Sequence, residues 1–251
     1  MDKKRKGRVL ACSDLHGQYE LYHQINNFLR EDDVVYFLGD AIDRGPAGWP
    51  LFKEILNNPK WCFIKGNHES MLRDAMAEYY SDEWSSIAQQ HHAANGGYDT
   101  FSGWLNDCAY KEWIDIIDHL PYHTVYTNKN EQHIILSHAG FTPSGLTSTI
   151  SNRDLIWDRE HISDSWPDGL ENVIIIHGHT PVPYIYKTYG VSMPADLNKM
   201  SCFWYATDQK GNNHKCCLDL GCWHTKKTVL LDLDTFETHH FVAIGGEKNE
   251  K

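Results

Sequence analysis

Five short apolar runs in this 251-residue chain end in the same way, and that repetition limits the folds open to it. "RVLACSD" ends at Asp14, "DVVYFLGD" at Asp40, "WCFIKGN" at Asn67, "HIILSHA" beside His138 and "NVIIIHGH" beside His179. Each is rich in β-branched or aromatic residues and is followed by polar or glycine punctuation, the pattern of a strand buried on both faces. Helical periodicities separate the first three. In "YELYHQINNFLRE", Leu21, Ile25, Phe28 and Leu29 share one face, and "WPLFKEILNN" is a shorter helix with Pro50 near its start. Strand, helix, strand, helix, strand predicts an α/β fold with a βαβαβ unit, right-handed crossovers and parallel pairing. Ligands of such sheets bind beyond the carboxyl ends of the strands. All five runs place their polar residues there.

The remaining chain divides in two. From Glu69 to about Leu120 the pattern is helical and polar, broken at Gly96 and Gly97 by a turn. It reads as a helical insertion (about 70–122) covering one side of the sheet, within a single domain spanning 1–251. From about Lys199, alternation in "KCCLDLGCW", "KTVLLDLD" and "THHFVAI" predicts a second, antiparallel sheet packed on the first.

A net charge of -11 argues against a dedicated nucleic-acid binder, which needs a basic face. It permits a small phosphorylated substrate, since local cations overcome a negative global field. The opening "MDKKRKGR" is followed only by "VLAC", so no secretory signal is expected, and no apolar run approaches the roughly 20 residues that span a bilayer. Among the seven cysteines, Cys12, Cys62 and Cys202 lie in or beside apolar stretches and read as small buried hydrophobes. A reducing cytoplasm is the expected location.

The strand ends collect Asp14, His16, Asp40, Asn67, His138 and His179: three imidazoles, two carboxylates and one amide oxygen. That nitrogen and oxygen set, without thiolate, suits manganese, iron or zinc. Asp14 and His16, two apart on an extended segment, project the same way and can share one ion. Singly, each residue has an ordinary reading. Asp14 and Asp40 suit helix caps, Arg44 and Arg159 surface ion pairs, and His68 with Asp43 a structural pair. Those readings would have to hold together at matched positions on five runs. His91, His92, His239 and His240 form adjacent pairs that would point opposite ways on a strand and read as solvated or structural. His177 reads as a donor behind the ligands. His214, Cys216, Cys217, Cys222 and His224 fit no regular zinc spacing. Trp49, Trp84, Trp104 and Trp113 read as packing.

Together, "SDLHGQ", "GDAIDRG", "GNHES", "SHAG" and "HGHTP" resemble the ordered motifs of the phosphoprotein phosphatase family, the binuclear metallophosphatases that include calcineurin. The resemblance is nearest to the compact bacterial and phage-type serine/threonine phosphatases, such as lambda phosphatase, which "NGG" and "IWDRE" also match in part. Ser13 stands where the family's first motif has Gly. The resemblance implies two packed mixed β-sheets flanked by helices. It implies two divalent metal ions, manganese first, one held by Asp14, His16 and Asp40 and the other by Asp40, Asn67, His138 and His179. It also implies in-line attack on phosphorus by a metal-bridging hydroxide, with the ions about 3.5–4 Å apart. Arg44, Arg159 and Asn67 would bind phosphate, and His68, oriented by Asp43, would protonate the leaving oxygen. The expected activity is a serine/threonine or dual-specificity phosphomonoesterase acting on a phosphorylated protein or small phosphoester. A symmetrical dinucleoside tetraphosphate hydrolase is the alternative, and an inactive phosphate-binding module the third. No nucleic-acid or membrane partner is expected, and oligomeric state stays open.

Overall fold

A computed structural model describes residues 7–81, 86–108, 110–143, 150–192, 194 and 199–243. The basic cluster before Gly7, Trp84 and Ile244 at the end of "THHFVAI" lie outside that set. The first third is β1 (Val9–Cys12), α1 (Tyr19–Phe28), β2 (Val34–Phe37), α2 (Gly48–Asn57) and β3 (Trp61–Phe63). Four helices follow: α3 (Asn67–Tyr79), α4 (Ile87–His92), α5 (Tyr98–Asn106) and α6 (Glu112–Asp118). Then come β4 (His123–Thr127), β5 (His133–Ser137), the single turn α7 (Asp154–Trp157), β6 (Val173–His177) and α8 (Val182–Thr188). The chain closes with β7 (Phe203–Thr207), β8 (Asn213–Cys217), α9 (Cys222–Thr225), β9 (Lys227–Asp232) and β10 (Thr238–Val242).

These strands form two five-stranded mixed sheets, ordered β10-β9-β1-β2-β3 and β4-β5-β6-β8-β7. As expected, β1, β2 and β3 pair in parallel, as do β5 and β6. The expected separate antiparallel sheet from the last third is corrected. Its strands divide, with β9 joining the first sheet antiparallel to β1 and β10 pairing antiparallel to β9, while β7 and β8 extend the second. The reason is edge satisfaction. Unpaired N–H and C=O groups on a buried edge are costly. β9, buried at every position, covers the open side of β1.

Alternation explains the continuous apolar runs. Val9 and Ala11 of β1 face the second sheet, meeting Ile134, Leu136, Ile174 and Ile176, whereas Leu10 and Cys12 face α1 and α2 through Leu21, Ile25, Phe52 and Ile55. Both faces are core, so no polar residue is tolerated until the strand ends. Three smaller readings are also corrected. Cys62 is exposed because β3 is an edge strand and that side chain points away from its two buried neighbours. Phe28, 36% exposed, closes the end of α1 rather than joining the core face. His91 and His92 end a helix, not a strand. Trp49, Trp104 and Trp113 pack as expected, Trp49 meeting Trp113 edge-on at 4.7 Å. Among the described residues no helix is long and apolar enough to cross a membrane.

The loop after β2 passes very close to the loop after β3. Gly39 has φ +89°, and a Cβ there would lie 2.5 Å from the Gly66 nitrogen. Gly39→Ala is therefore expected to lower unfolding stability by about 2–4 kcal/mol, from backbone strain plus overlap. Urea denaturation at unchanged m-value checks it, and a loss below about 0.5 kcal/mol would mean that the two loops separate easily.

Candidate metal centre

Every sequence-predicted ligand stands just past the end of a buried strand or at the turn that follows. Asp14 and His16 follow β1, Asp40 follows β2, Asn67 opens α3 after β3, His138 follows β5 and His179 follows β6. Backbone hydrogen bonds tie these turns together: Asp14 N–H donates to the Gly39 carbonyl at 3.0 Å, His16 N–H to Asp40 at 2.9 Å, and Gly178 N–H to His138 at 2.8 Å. Asp14, His16, Asp40, Asp43, Arg44 and His179 all have positive φ, between 41° and 69°. Such conformations cost on the order of 1 kcal/mol or more for non-glycine residues and persist only where surrounding contacts hold them. One of those contacts is Glu69. Its buried carboxylate accepts the N–H groups of Asp40, Ala41 and Gly66, each at 2.9 Å. Sequence reading missed Glu69, although its position three residues after Gly66 has the spacing of a helix-capping acid.

Two clusters result, each with ligand atoms within 4.8 Å of one another: His16, Asp40 and His68, and Asp40, His138 and His179. Asp40 is common to both. Asn67 belongs geometrically to the second, its Oδ1 2.8 Å from His138 Nε2 and 2.9 Å from His179 Nδ1. Asp14 lies outside both clusters by that measure, its oxygens accepting the His179 N–H at 3.0 and 3.2 Å. Gly178 permits this approach, since a Cβ there would fall 2.0 Å from Asp14 Oδ2.

The donor set fits cations. His138 donates Nδ1–H to the Leu38 carbonyl at 2.6 Å, and His16 donates Nδ1–H to the Ile42 carbonyl at 2.8 Å. Each ring therefore turns the lone pair of Nε2 inward, the arrangement typical of metal-binding imidazole. His138 Nε2 then faces only acceptors, Asn67 Oδ1 and, at 3.4 Å, Asp40 Oδ1. His179 Nε2 is buried with no partner at all. Converging acceptors without a donor are costly in a dry site, and a positive charge among them removes the cost. Protonation equilibria report the same deficit. Burial and the Asp219 carboxylate push Asp14 well above its usual range. Burial would lower His138, but Asp40 beside it raises it to about 9. Burial would raise Asp40, yet His138 and His68 hold it well below the ordinary carboxylate range.

Beside the first cluster lies a hydrogen-bonded pair. His68 Nδ1 contacts Asp43 Oδ2 at 2.7 Å, both groups being buried. Burial would raise Asp43, but hydrogen bonds from His68 and His92 keep it at about 2. Arg44 reaches across the mouth, its Nη1 2.9 Å from His16 Nε2 and its Nη2 3.0 Å from His68 Nε2. The Trp223 ring lies 5.6 Å from the Arg44 guanidinium. Arg159 is exposed and close enough to His179 to help depress that imidazole, after burial and His138.

One nearby acid, Asp219, escapes the sequence reading. Asp219 lies in "KCCLDLG", an apolar run closed by an acid and a glycine, and that polar and glycine punctuation is the available signal. It is buried, accepts the Gly221 N–H at 2.7 Å, and is raised to about 6 chiefly by burial. His92, read as solvated or structural, is buried against Asp43. His177 turns away from both clusters, its Nε2 2.5 Å from the Tyr205 hydroxyl. Cys217 and Cys222 direct their sulfurs at the Thr180 and Asp14 carbonyls, and His214 contacts Asp208 at 3.1 Å.

Comparison with known proteins agrees with this geometry. Residues 7–201 match the family model described as calcineurin-like phosphoesterase. A curated relative, serine/threonine-protein phosphatase 2 of Escherichia coli (strain K12), is 31% identical over 184 residues, covering 68% of this chain and 78% of its own. Serine/threonine-protein phosphatase 1 of Salmonella typhimurium is 26% identical over 72% of this chain and 82% of its own. Among solved structures, one provisionally named a diadenosine tetraphosphatase superposes with TM-score 0.60 at 11% identity, covering 98% of this chain and 97% of that one, a likeness of fold. The chain belongs to the calcineurin-like phosphoesterases and is a hydrolase of their binuclear metallophosphatase type.

Proposed function

We propose that the protein is a serine/threonine phosphomonoesterase whose activity extends to phosphotyrosine, with manganese the working metal. The observation that carries this reading is the position of His68 Nε2, 3.0 Å from Arg44 Nη2 and 3.8 Å from Asp40 Oδ2. A proton donor and a phosphate fork thus stand together at the carboxylate shared by both clusters. Asp14, His16 and Asp40 would hold one ion, and Asp40, Asn67, His138 and His179 the other. Such a pair, when bound, polarises a phosphoryl group and supplies a nucleophile near neutral pH.

The side chains do the rest. Arg44 binds the non-attacking phosphate oxygens, for which a planar fork suits better than a lysine ammonium, and Arg159 approaches from the exposed side. Asn67 binds phosphate through its amide. His68 would deliver a proton from Nε2 to the departing oxygen once bound phosphate takes up the Arg44 donor, while Asp43 fixes the other nitrogen as the N–H. That acid favours esters. A serine or threonine alkoxide is a poor leaving group and needs the proton, whereas the phosphate released from an anhydride needs it far less. The relatives named as serine/threonine phosphatases support the same choice.

A cleft of 490 Å³ is lined by Ser70, Met71, Tyr122, Arg153 and Trp157, and the Trp157 ring lies 6.1 Å from that of His179. We assign it to the peptide flanking the phosphorylated residue. All seven cysteines are thiols, which supports a cytoplasmic location.

Turnover with manganese on phosphopeptides of all three hydroxyl types, an aryl phosphate and diadenosine tetraphosphate tests the assignment. Phosphoserine and phosphothreonine peptides are expected to exceed the dinucleotide in kcat/KM. A preference for the dinucleotide above about tenfold, or 1.4 kcal/mol, would transfer the site to the anhydride hydrolase. Arg44→Ala is expected to lower kcat/KM by about a hundredfold with metal content, measured by elemental analysis, unchanged. A loss under about threefold would remove Arg44 from phosphate binding.

A further inference from the structure

His92 is a buried group beside the proposed chemistry that the mechanism leaves without a task. It is the last residue of α4, 1% exposed, and its Nε2 lies 3.0 Å from Asp43 Oδ1 and 2.9 Å from Asp43 Oδ2. The same carboxylate accepts His68 Nδ1–H at 2.7 Å. Asp43 is itself fully buried and has φ +69°, so neither its position nor its backbone conformation is self-supporting. Two imidazoles converge on it from different elements, α3 and α4.

The placement of His92 is built into the chain that follows it. A Cβ on Gly97 would lie 2.2 Å from His92 Nε2, so only glycine there leaves room for the ring. One residue earlier, Gly96 at φ +91° accepts the Arg44 N–H at 2.9 Å through its carbonyl, and Thr100 Oγ1 accepts the Asp43 N–H at 3.1 Å. The turn at 96–97 and the start of α5 therefore grip the backbone of Asp43 and Arg44, while His92 grips the Asp43 side chain.

We propose that His92 is a positioning residue for the acid step, a third member of a His92–Asp43–His68 relay. The inference rests on the assignment of His68 as proton donor. A carboxylate held by one imidazole alone can rotate between its two oxygens. Held across both oxygens by His92, it keeps Oδ2 aimed at His68 Nδ1, which fixes the tautomer and the direction of His68 Nε2. His92 touches neither cluster nor the reacting atoms. Its influence must pass through Asp43, and so should appear only in proportion to the need for a leaving-group proton.

The test uses the full chain with manganese, on aryl phosphates from 2,4-dinitrophenyl to phenyl and on a phosphoserine peptide. Wild type, His92→Phe, His92→Gln and His68→Asn are compared. His92→Phe, which keeps the ring but loses the donor, is expected to reduce kcat by about thirtyfold on phenyl phosphate and about threefold on the dinitrophenyl ester, within the span of general acid catalysis. His92→Gln, whose Nε2 can donate to the same carboxylate, should recover most of the phenyl phosphate rate. Should His92→Phe not fold, judged by circular dichroism, His92→Leu is the second donorless variant. A loss of equal size on every leaving group, or no loss, overturns the positioning role while His68→Asn still shows a steep dependence. If His68→Asn itself shows no dependence on the leaving group, the acid assignment fails and the His92 inference falls with it.

Discussion

Asp40 sets the terms for the rest of the molecule. Its carboxylate is shared by two clusters of lone pairs, and around it stand Asn67 Oδ1 and inward-facing imidazole nitrogens. Acceptors do not gather in a dry site of their own accord, since the uncompensated desolvation of each costs on the order of 1–3 kcal/mol. The arrangement exists because stronger forces hold its supports. Strands buried on both faces fix where each turn begins, and the turns are then bound to one another by backbone hydrogen bonds. Glu69 completes the grip by taking three N–H groups at the base of the Asp40 turn. A bound cation would make this expensive arrangement favourable.

The strain has the same origin. Asp14, His16, Asp40, Asp43, Arg44 and His179 sit in the left-handed region, which suits aspartate only modestly and histidine or arginine less. Regular strand geometry would send alternate side chains to opposite faces and disperse the ligands. A left-handed residue at the strand end turns the chain sharply enough to bring neighbouring side chains to one place. Glycine would adopt the conformation at lower cost but would bring no ligand. Function and local stability are therefore opposed at the same residues, and the two apolar cores meet the difference.

What was legible in the sequence follows from this division. The five strand ends could be read because a buried strand has a simple signature and because ligands must lie where it stops. That logic leads to His16, Asn67 and His138. Glu69 and Asp219 follow the same rules of spacing and punctuation and were within reach. His92 was not, because its role depends on α4 folding back to place residue 92 beside residue 43, and adjacent histidines carry no sign of which one is buried. The split of the last third between two sheets was equally hidden. Alternation shows that a segment is a strand, but the vacant edge of β1 decides which sheet receives β9. Cys62 illustrates the converse, an apolar context in sequence that becomes an exposed position once β3 lies at the edge.

Neither sheet contains the centre. Asp40 and Asn67 come from the first, His138 and His179 from the second, and the second cluster exists only where the two meet. The contacts that join the sheets at this end are made by the candidate ligands: His138 Nδ1–H to the Leu38 carbonyl and His179 N–H to the Asp14 carboxylate. Elsewhere the sheets meet through aliphatic side chains such as Val9, Ala11, Ile174 and Ile176, which supply attraction but little direction. Hydrophobic packing brings the layers together, and the polar contacts at the strand ends set how they sit. Register between the sheets and spacing between the ligands are thus one quantity. Sliding one layer over the other would pull His138 and His179 away from Asp40 and Asn67.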